Sequence, residues 1–111
     1  MQLQEDFSLE AVLSIITGIN CTNDFGEVFE LFWFMFEDPL INTTGIMELK
    51  DAAKRHILNI HPELKTVVYN NKLSLNEWLE KQKELYGSYL TISVIGEPIV
   101  VLEKQPIVSA R

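Results

Sequence analysis

The sequence predicts an α+β fold, mainly α: about four helices followed by a C-terminal β-hairpin or two edge strands. Three observations lead there. Helix caps and helical apolar spacing recur through the first 86 residues. At Tyr89–Ile95 the pattern switches to alternation of Tyr, Thr and Ser with Leu, Ile and Val, the period of a half-buried strand. Gly96-Glu97-Pro98 then reads as a turn before a second β-branched run, Ile99–Leu102. A chain of 111 residues with 47% apolar content is one domain able to bury a single core, spanning 1–111 with 1–6 and 105–111 expected to fray.

The elements follow in order. Ser8 is placed to cap a first helix that runs to Thr17 and stops at Gly18. Asp24 and Glu27 have capping-box spacing and open a second helix that ends before Pro39. A loop, Leu40–Gly45, leads to a third helix over Ile46–Ile60, and His61-Pro62 restarts a short helical turn. Tyr69-Asn70-Asn71 marks a turn, Ser74 to Glu77 is a capping box for a fourth helix, and Gly87 is its stop. Helical spacing predicts burial of Phe29, Phe32, Trp33, Phe36, Leu49, Ala53, Ile57, Trp78 and Leu85.

Charge is distributed unevenly. Nine carboxylates and no Lys or Arg precede Lys50, whereas seven acids and nine bases follow from Lys50 onward, so the net −7 is a segment of −9 joined to one of +2. A negative chain disfavours direct nucleic-acid binding and anionic lipid, and the acidic half suits a basic protein partner. On the second helix, Asp24, Glu27, Glu30, Glu37 and Asp38 share an arc that also contains Leu31 and Phe34. Apolar anchors ringed by charge are the pattern of a partner-binding surface; the alternative is that another element of the chain covers them.

Chemistry finds little support. His56 and His61 are five residues apart, not the three or four of a one-face metal pair, and CxxC and HExxH are both absent. His56 falls on an apolar face and reads as a hydrogen-bonded core histidine. Cys21 stands alone, without neighbouring positive charge to activate it and without a disulfide partner, which fits a reducing cytoplasm. No nucleophile–base–orienter set and no phosphate loop can be assembled, so neither enzyme activity, metal nor cofactor is expected. The longest apolar run, Leu31–Phe36, is too short to span a bilayer.

Four segments also resemble, in order and with similar spacing, a small phage-encoded domain family of unknown function. Leu9-Glu10-Ala11-Val12-Leu13-Ser14-Ile15-Ile16-Thr17-Gly18 resembles its "DVLSxTTG" opening, and Val28–Met35 resembles its "VYDILNWMTG" stretch. His61-Pro62-Glu63-Leu64 is similar to its "HPxL", and Trp78-Leu79, Gln82 and Tyr86-Gly87 to its "WLxxQxxxYG". The family's "THQLPR" segment is absent; Leu40–Gly45 stand in its place. The resemblance implies a bacteriophage origin and a bacterial cytoplasm, but no activity and no functional residues. The expectation is a non-enzymatic phage protein that binds a basic host protein through its acidic surface. A counter-defence inhibitor, anti-CRISPR-like or anti-restriction, occluding a nuclease would fit. The alternative is a structural or accessory phage protein acting as a homodimer or larger homo-oligomer.

Overall fold

The computed structural model describes residues 3–22 and 25–95. The element order is β1 (Gln4–Ser8), α1 (Leu9–Thr17), α2 (Gly26–Phe36), α3 (Thr43–Ile60), a 3-10 turn (Pro62–Thr66), α4 (Leu75–Tyr86) and β2 (Tyr89–Ser93). The predicted mainly-α class with a small sheet is the observed one. Asp24, the expected second hairpin strand Ile99–Leu102 and the expected fray at 105–111 lie outside the described residues.

Local chemistry sets the helix ends. The Ser8 hydroxyl accepts from Ala11 N–H at 3.2 Å, satisfying one of the donors a helix start leaves free. Gly18 closes α1 in the left-handed region (φ 78°), where a Cβ would be strained, and donates its N–H to Ser14 O. The Ser74–Glu77 capping box forms in full. Asn42, not a residue near Ile46, caps α3: its side chain accepts from Gly45 N–H at 3.0 Å, so the helix starts three residues earlier than the spacing suggested. Gly45 is needed there for space, since a Cβ would meet the Ile41 side chain at 3.0 Å.

α1 is the centre of the molecule. Leu9, Ala11, Val12, Leu13, Ser14 and Ile16 are all buried, and α1 touches α2, α3, α4 and both strands. A helix apolar on nearly every side must be enclosed on every side. Phe32, Leu31 and Met35 of α2, Ile57 of α3, Leu64 of the 3-10 turn and Ile92 of β2 complete the core around it. Trp78 is also buried and donates its indole N–H to Val68 O.

Two features differ from the expectation. Among the described residues β2 pairs antiparallel with the N-terminal β1, from Gln4↔Ser93 to Ser8↔Tyr89, so residues 4–6 are sheet and not a frayed end. A strand's alternation shows that it has a core face but does not name its partner. Leu85 is 69% exposed. The buried residues of α4 are Trp78 and Leu79, near its start, where Tyr69 of the preceding loop packs on Trp78; Leu85 lies two turns further along the same side, past that cover. Phe29, Trp33, Phe36 and Leu49 are half-buried at the rim, while Phe32, Ala53, Ile57 and Trp78 are buried as expected.

Candidate interaction surface

The proposed anchors of α2 are not at the surface. Leu31 is 0% exposed, and Phe34 lies half-buried against Phe7 of β1, with ring centroids 5.6 Å apart. The buried set is Val28, Leu31, Phe32 and Met35, a stripe turned roughly 70° from the aromatic-rich face that composition favoured. β1 covers one flank of α2: Phe7 meets Phe34 and the Ser8 amide meets Glu27. Leu31 is inside, while Phe29 and Trp33 sit at the rim. Trp33 keeps its indole satisfied by donating to Ile41 O at 2.8 Å.

Glu27 also leaves the acidic face. Its carboxylate accepts from the backbone N–H of Ser8 at 2.7 Å, tying the start of α2 to the end of β1. Its expected capping-box partner, Asp24, lies outside the described residues, and Phe25 at the N-cap position makes no side-chain cap hydrogen bond. What remains exposed on α2 is Glu30, with Glu37 and Asp38 just beyond the helix end. To these the fold adds Glu5 and Asp6 of β1, in a segment expected to fray. No local pattern could have found them, because their strand partner is more than 80 residues away.

The C-terminal end of α2 concentrates negative charge. A helix C-terminus carries partial negative charge and is normally stabilised by bases. α2 has no base in its last turn; Glu37 and Asp38 follow it instead. Glu37 adopts φ 55°, the left-handed region where a non-glycine residue costs on the order of 1 kcal/mol. Its N–H donates to Phe34 O and Trp33 O to close the helix, and Asp38 accepts from Leu40 N–H at 2.9 Å. Glu5, Glu30 and Glu37 have no ion-pair partner among the described residues.

The remaining candidate chemistry is committed to structure. His56 and His61 place their Nε2 atoms 2.8 Å from Ser93 O and Thr91 O respectively. A carbonyl oxygen only accepts, so each ring donates through Nε2. Both histidines thus bind the outer edge of β2, and His56 is the hydrogen-bonded histidine that its apolar face suggested. Cys21 is buried and donates its thiol to Ile19 O at 3.3 Å. Burial pushes that thiol above its ordinary range, with Glu10 adding to the shift against hydrogen bonds to Thr17 and Ser14. Among the described residues no group of three His, Cys, Asp or Glu side chains is placed to hold a metal.

Two recesses flank α1. A polar one of about 400 Å³ is lined by residues including Glu10, Cys21, Glu27, Glu80 and Lys83. Its charges are partly internalised: Lys83 contacts Glu10 at 2.9 Å and Glu80 at 3.7 Å, and the hydrogen bond to Glu10 raises the lysine's pKa. An apolar recess of about 300 Å³ lies between α1, α2 and α3, with Ile19, Phe25 and Met47 exposed around it. No helix among the described residues is long and apolar enough to cross a membrane. No protein-family model matches the chain, and neither the curated proteins nor the solved structures gave a match.

Proposed function

We propose that this is a non-enzymatic binding protein of phage origin whose acidic surface engages a basic host protein. The observation that carries the reading is the end of α2, where Glu37 and Asp38 add negative charge to the negative pole of a helix without a base in its last turn. That arrangement costs free energy in the isolated protein and is relieved by a cationic partner. Glu30 on α2 and Glu5 and Asp6 on β1 extend the surface. The phage origin rests on the four ordered sequence motifs. With it, the partner of choice is a nucleic-acid-handling nuclease of a bacterial defence system. Its phosphate-binding Lys and Arg groove is the kind of surface that a fixed carboxylate array competes for.

The revision to the interface is specific. Leu31 belongs to the core and Phe34 packs half-buried on Phe7, so the exposed surface is mainly polar and its complexes should be strongly salt-sensitive. Capture from a bacterial lysate at low and high salt, with Glu30→Lys/Glu37→Lys as control, tests this. The expected result is a nuclease retained by the wild type at low salt, lost by the variant, and inhibited on its nucleic-acid substrate when the wild type is added. Equal capture by both proteins means that the acids are only a solvated face.

A second reading, an accessory phage protein acting as a homo-oligomer, is favoured by the exposed Ile19, Phe25 and Met47 around the apolar recess. Light-scattering mass decides it. A dimer that Phe25→Ser reduces to a monomer supports this reading over the first.

A further inference from the structure

Among the described residues the sheet has two strands and two outer edges. We propose that the outer edge of β1 is a docking site for an extended, basic segment of the partner, which adds to the sheet as a third strand. This rests on the acidic-surface reading above and specifies its binding mode.

The backbone geometry sets out which groups are available. Val94 N–H donates to Leu3 O, so in the register Glu5↔Ile92 and Phe7↔Leu90 the odd residues of β1 turn their backbone groups toward β2. Gln4, Asp6 and Ser8 turn theirs outward. The Ser8 N–H is taken by the Glu27 carboxylate. The outward backbone groups of Gln4 and Asp6 have no hydrogen-bond partner among the described residues. Gln4, Glu5 and Asp6 are all exposed. The equivalent edge of β2 is closed, because the imidazoles of His56 and His61 occupy Ser93 O and Thr91 O. Folds usually cover or blunt both edges of a sheet, and a free one is a template for another strand.

Charge selects the occupant. A second copy of β1 would set Glu5 and Asp6 against like charges, which is unfavourable across a strand pair. A strand with Lys or Arg opposite them gains ion pairs in addition to the ladder. Neither Glu5 nor Asp6 is ion-paired with a Lys or Arg among the described residues; the Asp6 carboxylate accepts the Thr91 hydroxyl.

The probe is an alternating Lys–Val octapeptide added to isotope-labelled full-length protein. The expected result is shifted resonances and slowed hydrogen exchange at the Gln4 and Asp6 amides. A peptide of the same composition with alternate D-residues, unable to form a regular strand, should not protect them. Asp6→Pro removes one outward N–H and leaves the backbone ladder to β2 in place, at a position where edge strands tolerate proline; Asp6→Asn, which loses the same charge but keeps the N–H, is its reference. Asp6→Pro should bind about tenfold more weakly than Asp6→Asn, as expected for one lost hydrogen bond that the complex needs. If Asp6→Pro perturbs the fold, the comparison of the two peptides on the wild type decides alone. Unprotected Gln4 and Asp6 amides with the L-peptide, or equal binding of the D/L peptide, overturns the strand mode. Glu30 and Glu37 lie off this edge, so the two failures separate. Salt-sensitive binding of both peptides that Glu30→Lys/Glu37→Lys abolishes overturns the strand mode and leaves the acidic-surface reading standing. Protection at Gln4 and Asp6 that survives those reversals supports the strand mode and counts against that reading.

Discussion

The two outer edges of the sheet contrast sharply, although β1 and β2 are both five residues long. The β2 edge faces α3, and two histidines of the α3 segment close two successive outward carbonyls. Its inward side chains, Leu90 and Ile92, are buried, with Val94 beyond the strand buried too. The β1 edge is held at one point, Ser8, by one carboxylate from α2, and its first three residues are exposed. β2 therefore gives the core a whole face, whereas β1 reaches it only at Phe7 and is otherwise surface. The lesson is that a strand's role follows from what covers its far side, and not from its own length or composition.

The comparison can be broken most forcefully on a single rung. Ile92 and Glu5 are register partners, yet Ile92 is 0% exposed and Glu5 is exposed. Ile92→Ala should cost about 2–5 kcal/mol, the range for emptying a buried aliphatic site. Glu5→Ala should change stability by less than about 0.5 kcal/mol, as surface substitutions do. Chemical denaturation of both variants checks this, and similar costs would mean that the two strands share one environment.

The closed edge comes next. His56→Ala should cost about 1–3 kcal/mol, because it leaves the Ser93 carbonyl without its partner in a half-buried site. His61→Ala, at the more exposed Thr91 carbonyl, should cost less, about 0.5–1.5 kcal/mol. Amide exchange at β2 in each variant should accelerate while exchange in α4 stays unchanged.

At the tie between β1 and α2, Glu27→Gln keeps an acceptor for Ser8 N–H but removes its charge. The expected loss is about 1 kcal/mol, the difference between a charge-assisted and a neutral hydrogen bond. The smallest effect should come from Asp6→Asn, within about 0.5 kcal/mol in denaturation midpoint. Its carboxylate only accepts the Thr91 hydroxyl on an exposed face, and the amide oxygen accepts equally well.

Much of this molecule was legible in local sequence. Ser8, Gly18, Ser74 with Glu77, and Gly87 each mark a helix end by an interaction within a few residues, and such signals survive any tertiary arrangement. The alternation at Tyr89–Ile95 likewise announced β2 with a buried face. The exposed acids Glu30, Glu37 and Asp38 were read from composition, and the fold leaves them exposed. What only tertiary structure decided is the partner of each face. Gln4–Ser8 carries almost no strand signature, yet it pairs with β2 across most of the chain. It draws Phe34 onto Phe7 and takes Glu27 to the Ser8 amide, while Leu31 is buried in the core. Helical periodicity states how wide an apolar face is, but a helix as apolar as α2 has several faces that can be buried, and the choice among them belongs to the segment that packs against it.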